Sequence, residues 1–264
     1  MDRISTGIVG LDNFIEGGVP KGRCVVIRGP SGSGKTIFGL AFLVAGAKSG
    51  QKGAYLTLEQ SPAEIMLDNL RLMPQMKKFI EEDKLIHIFD RSIKTDILAK
   101  PDVKGLFSGH FEGESIKSPK SDREDPRQFD KFIDGMFKQL QGGGYSNLVI
   151  DSINALARKN KLMMKALGKP YDEDDHYELV LNLVQRAKSL GLTSYILSED
   201  VGNDALKESH ESFVGDCILE LQVDEYDNKR LIKIKKIRGT RHVLKPLSFE
   251  FRDGEGIVVT SNGQ

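Results

Sequence analysis

Two cysteines in 264 residues, with no C-x-x-C pair, leave no sulfur set for a zinc ribbon. Cys24 and Cys217 each stand in an apolar, strand-like run and are expected to be buried core thiols. Net charge is also missing, since 38 Lys+Arg are matched by 38 Asp+Glu. Nothing in the whole-chain balance therefore pulls toward nucleic acid or a membrane surface, and only a local basic patch could do so. Long apolar runs are absent as well. The uncharged apolar run Ile37 to Ala47 is too short to cross a bilayer. Met1 to Gly10 has no apolar signal region, so the expected address is cytoplasmic with no membrane partner.

What is present is the make-up of a globular protein, 39% hydrophobic and 29% charged. The length allows one large α/β domain or two small ones, and no feature marks a boundary between two cores. One domain over 1–264 is expected. Its odd stretch is Lys100 to Asp125, rich in Lys, Glu, Asp, Ser, Gly and Pro, which reads as a surface insertion.

The most informative segment is Gly29-Pro30-Ser31-Gly32-Ser33-Gly34-Lys35-Thr36, a G-x-x-x-x-G-K-[ST] phosphate loop. Gly32 and Gly34 allow the tight turns that bring backbone N–H groups close to phosphate oxygens. Lys35 can reach the β- and γ-phosphates, and the Thr36 hydroxyl can ligate Mg²⁺. The apolar run Cys24 to Ile27 before the loop suits a buried parallel strand, and Ile37 to Ala47 after it suits a buried helix. A helix beginning there adds its own attraction for an anion.

Two further strand ends carry carboxylates. Residues 54 to 58 are β-rich, and Ser61-Pro62 then opens a helix, so Glu59 stands where open α/β sheets bind ligands. A carboxylate there can orient the water that attacks a γ-phosphate; the competing readings are a helix cap or a solvated acid. The apolar run Asn147 to Ile150 ends in Asp151, a candidate Mg²⁺ holder acting through water, followed by Ser152. Ser198 and Glu199 end another strand, over Thr193 to Glu199. His87, within the strand-like run Leu85 to Asp90, is expected to be a packed residue.

The rest is mainly scaffold. Phe129, Phe132, Ile133, Met136, Phe137 and Leu140 recur at helical spacing, and Gly142-Gly143-Gly144 stops that helix. Arg158, Lys159, Lys161, Lys165 and Lys169 carry no intervening acid. They read as a solvated basic loop in preference to a DNA contact, because no aromatics interleave for base stacking. The acids Asp172 to Asp175 open the next helix, with Leu179, Val180, Leu183, Val184, Ala187 and Leu190 on its buried face. Cys217 to Leu221 and Arg230 to Lys235 pair as antiparallel strands, and Pro246 to Val259 forms a closing hairpin.

Four short segments, taken with the phosphate loop, resemble one family. Ser5-Thr6-Gly7-Ile8, Gly10-Leu11-Asp12 and Gly17-Gly18-Val19-Pro20 precede the phosphate loop, and Lys236-Ile237-Arg238-Gly239-Thr240-Arg241-His242 follows far downstream. This pattern is similar to the KaiC-like branch of the RecA-type ATPases, from about Arg3 to about Phe251. The resemblance implies a RecA-like α/β fold: a mainly parallel twisted sheet flanked by helices, with C-terminal antiparallel strands. It implies ATP or ADP with Mg²⁺ as ligands and a homo-oligomeric ring, expected as a hexamer, with nucleotide between neighbours. It also implies that Glu59 takes the place of the catalytic carboxylate, although the second glutamate often found beside it is Gln60 here. Lys236 and Arg238, otherwise an exposed basic strand, are implied to reach the neighbouring subunit's ATP. Two other classes stay open: a RecA-like DNA-handling ATPase, and a nucleotide-gated scaffold with very slow turnover.

Overall fold

The computed structural model describes residues 2–91, 126–166, 168, 170, 172–199 and 214–260. The expected insertion over 100–125, Lys169 and residues 200–213 lie outside the described residues.

The framework is a 9-stranded sheet. Six strands run parallel: β3 (Cys24–Gly29), β4 (Lys52–Thr57), β5 (Ile86–Asp90), β6 (Tyr145–Asp151), β7 (Thr193–Glu199) and β8 (Cys217–Asp224). Three antiparallel strands complete one edge: β9 (Lys229–Ile237), β10 (Leu247–Arg252) and β11 (Gly256–Thr260). The order is β11-β10-β9-β8-β3-β7-β6-β4-β5. Parallel strands buried on both faces need unbroken apolar runs, and β3, β6 and β7 supply them with Val, Ile and Leu. A two-stranded sheet of β1 (Arg3–Ile4) and β2 (Val19–Pro20) precedes β3.

Each face of the sheet carries its own apolar layer. Helix α1 (Lys35–Lys48) covers one face through Phe38, Phe42 and Leu43, joined by α2 (Pro62–Asn69) through Ile65 and Met66. The other face is covered by α3 (Pro126–Gly142), α4 (Ile153–Ala166) and α5 (Glu173–Ser189). Ile133, Met136, Phe137 and Leu140 of α3 are buried, as their spacing requires, with Phe132 packed alongside. Both capped helices start where their sequences say. Ser61 and Glu64 form a capping box on α2, and Asp172 and Asp175 form another on α5.

Two segments differ from the sequence expectation or exceed it. Arg158 to Lys165 is helical rather than a loop, lying within α4. No Gly or Pro interrupts 153–166, and Ala, Leu, Met, Lys and Arg are good helix formers. The opening Ser-Thr-Gly, given by the sequence only as a family motif, is a lock. Thr6 Oγ1 and Ser5 Oγ donate to the two carboxylate oxygens of Asp12 at 2.6 and 2.7 Å. Gly7, at φ 76°, lies so close to α1 that a Cβ there would meet the Ala41 carbonyl oxygen at 2.1 Å.

Cys24 and Cys217 are buried free thiols, each with a pKa pushed up to about 12 by burial. His87 and Tyr145 meet edge to face, with centroids 5.4 Å apart. Among the described residues, no helix is long and apolar enough to cross a membrane.

Candidate functional site

β3, β4 and β6 end on the same edge of the sheet, because they run parallel. That edge gathers the phosphate loop, Glu59 and Asp151. The loop leaves β3 at Gly29 and enters α1 at Lys35. Gly34 caps the helix at φ 102° with no side-chain capping bond, so the first amides of α1 are left for another acceptor. A Cβ on Gly34 would also meet the Phe251 ring at 2.8 Å, so β10 closes the loop's underside. The Lys35 ammonium folds across its own loop, donating to the carbonyls of Gly29 at 2.9 Å and Pro30 at 2.8 Å.

Thr36 and Asp151 meet directly. Thr36 Oγ1 donates to Asp151 Oδ2 at 2.8 Å, joining two motifs 115 residues apart. The same oxygen accepts from the Tyr55 hydroxyl on β4 at 2.5 Å. Asp151 is half-buried, and protein crowds it closely enough that loss of water pushes its pKa up, against the opposing pull of the two hydroxyls. Its hydrogen-bond donors are thus neutral groups. Few oxygen ligands from the protein, beside a cradle for phosphate, is the donor set that suits Mg²⁺, which retains water and takes substrate oxygens. The peptide between Asp151 and Ser152 is cis.

Glu59 lies two residues beyond the end of β4 and is exposed. It is not a helix cap, since Ser61 and Glu64 cap α2 between themselves. Its Oε1 accepts from Ser152 Oγ at 3.3 Å and pairs with the Arg158 guanidinium on α4. Ser152 Oγ also accepts from the Ala155 amide, tying Glu59 to the first turn of α4. Gln60 turns elsewhere, its amide donating to Asp68 of α2 at 3.1 Å. Asn154 clasps the backbone of Glu199 with both ends of its amide, at 3.1 and 2.6 Å, so the tip of β7 is fastened to the same helix.

The structure does not bring Lys236 and Arg238 to this edge. Ile237 pairs with Cys217, which is level with Val25, four residues and about 13 Å short of Gly29 at ~3.3 Å per residue. Lys236 Nζ donates to the Gly215 carbonyl at 2.8 Å, and the Arg238 amide to the Asp216 carbonyl at 3.1 Å. The Arg238 side chain is exposed at the opposite edge of the sheet. Beside it Asp216 is buried and accepts from Lys188 at 2.7 Å, the Cys24 amide at 3.0 Å and Arg23 at 3.4 Å.

A groove of about 560 Å³ lies elsewhere, lined among others by Ser5, Asp12, Lys48, Met73 and Glu255. No residue of the phosphate loop lines it.

With this geometry in place, comparison with known proteins is informative. The family model described as "ATPase: KaiC" matches residues 4–264. The chain belongs to the KaiC ATPase family. Membership places it among the ATP-binding P-loop ATPases with the RecA-like fold. A UPF0273 protein of Aeropyrum pernix is 26% identical over 262 residues, covering 98% of this chain and 94% of that protein. The circadian clock oscillator protein KaiC of Parasynechococcus marenigrum is 28% identical over 255 residues, covering 92% of this chain but 42% of its own length. A solved KaiC-like protein from Pyrococcus horikoshii superposes with a TM-score of 0.68 at 25% identity, covering 98% of this chain and 99% of that one.

Tyr55 and the Glu59–Arg158 pair are the neighbours sequence reasoning missed. Tyr55 sits inside an apolar strand, and its only signal was a hydroxyl four residues before a candidate catalytic acid.

Proposed function

We propose that the chain is a single Mg²⁺-dependent ATP-hydrolysing domain that works as a homo-oligomeric ring, hexameric as the family resemblance implies, in the cytoplasm. The observation that carries the reading is the 2.8 Å bond between Thr36 and Asp151, which unites the phosphate loop with the carboxylate of a separate strand.

In this mechanism residues 29–36 cradle the phosphates with backbone amides and the α1 N-terminus. Lys35 leaves the Gly29 and Pro30 carbonyls to meet the β- and γ-phosphates. Thr36 and Asp151 would hold Mg²⁺, which would supply charge to offset that developing on the phosphate oxygens. Glu59 accepts a hydrogen bond from the attacking water and takes its proton. Lys236 and Arg238 act on the nucleotide of an adjacent copy, because their own phosphate loop lies across the sheet. A guanidinium supplied in this way stabilises the transition state. Nucleic acid is not part of this reading, since Arg158 pairs with Glu59 and Lys159 donates to the Arg91 carbonyl.

The test is ATP turnover with Mg²⁺ together with light scattering with and without nucleotide. Glu59→Gln should retain nucleotide binding and lose about 10²–10⁴-fold in turnover. Wild-type turnover in that variant removes Glu59 from the role. Stimulation by single-stranded DNA that weakens with salt would favour the DNA-handling class instead. Turnover far below one per minute would favour the nucleotide-gated scaffold.

A further inference from the structure

Asp151 has two neighbours that donate to it, and the family pattern accounts for only one. Tyr55 is fully buried at the centre of β4, in the apolar layer under α1. It pairs in register with Val149, two residues before Asp151 on β6. Residues 149 and 151 point to the same face of the sheet, as does Tyr55 opposite Val149. The length of the tyrosine ring therefore carries its hydroxyl up one pleat, to the level of Asp151. Phenylalanine would fill the same space and stop short of the carboxylate.

Both hydroxyls, from Tyr55 and Thr36, fall on Asp151 Oδ2. Among the described residues Oδ1 accepts no hydrogen bond, which leaves it for a cation or its water. Thr36 would not orient the carboxylate alone, because its oxygen would also be needed by the metal. The Tyr55 hydroxyl donates to the same oxygen from within the apolar layer under α1, apart from the phosphate loop.

We infer that Tyr55 is a positioning residue for the metal site: its hydroxyl holds the Asp151 carboxylate in the orientation that binds Mg²⁺, and so sets the affinity for the Mg²⁺–nucleotide complex. The inference rests on the reading of Thr36 and Asp151 as the metal-holding pair. Partners of this kind, one bond behind a ligand, change metal affinity by about 10–100-fold when removed.

The test titrates Mg²⁺ into the full chain at fixed fluorescent ADP, and separately follows the Mg²⁺-dependent rise in melting temperature with ADP. Tyr55→Phe should raise the Mg²⁺ midpoint about tenfold or more and shrink the rise in melting temperature. Affinity for ADP in EDTA should stay at the wild-type value, because the phosphate loop is untouched. A Tyr55→Phe protein with a wild-type Mg²⁺ midpoint overturns the inference, whether or not its metal-free melting point has dropped. If wild-type binding shows no Mg²⁺ dependence and Asp151→Asn behaves as wild type, the metal-site reading itself fails.

Discussion

Asp151 and Asp216 are both aspartates beside strands of one sheet, yet they serve at opposite edges under opposite conditions. Asp216 lies against two cations and an amide. Burial alone would raise its pKa, but the bond from Lys188, the Cys24 amide and the Arg23 charge outweigh it and hold the carboxyl below its usual range. Asp151 accepts from two hydroxyls, and burial carries its pKa up. A carboxylate matched by fixed cations is finished as a structural part. One held only by neutral donors retains its attraction for a cation from outside. The charge of the partners separates the two aspartates more clearly than burial does.

The contrast can be broken at several points. The largest effect is expected at the basic strand beside Asp216. Arg238→Ala should lower turnover by about 10³-fold. Mixing those subunits with Lys35→Ala subunits should restore part of the activity, because one kind keeps intact fingers and the other intact phosphate loops. No recovery on mixing would count against a shared site.

Next comes Asp216→Asn, which leaves Lys188 without its partner and should cost about 3 kcal/mol in urea unfolding. Asp151→Asn should cost nothing in stability, since a charge penalised by burial is removed, while Mg²⁺-dependent turnover is lost. If both variants destabilise equally, the two aspartates are not distinguished as argued.

Acid gives a smaller and graded effect. The folded pKa of Asp216 is depressed, so its contribution is present above the ordinary carboxylate pKa of about 4 and disappears as pH falls through the folded value. The stability gap between wild type and Asp216→Asn should therefore narrow from about pH 4 downward in urea titrations. A constant gap would mean that the Asp216 charge contributes nothing.

The smallest effect belongs to Arg158→Ala. Its guanidinium and Glu59 are 62% and 43% exposed, so the pair should contribute under about 1 kcal/mol to unfolding.

Much of this was legible in the sequence because it is local. The phosphate loop, the strand before it and the helix after it lie in one continuous stretch, and so do the α3 stripe and the helix starts at Ser61-Pro62 and Asp172 to Asp175. Asp151 was legible because an apolar run ending in an acid pairs with such a loop. The helical state of 153–166 was missed because the clustered lysines suggested solvent, although they are good helix formers. Tyr55, Arg158 and Asp216 were not legible in their roles. Each acts through a partner about a hundred or more residues away, brought close by strand register or, for Arg158, by the placement of α4. The Ser-Thr-Gly opening was visible as a family mark but not as the clasp on Asp12.

Arg238 and Gly29 occupy opposite edges of one sheet. On the proposed reading every copy lends one finger and borrows another, so complete sites are counted by junctions and not by subunits. An open row of copies then always carries one idle phosphate loop at one end and one idle arginine at the other. Closing the circle adds one more working site without adding any protein, and activity per subunit should step up at the concentration where ends first meet.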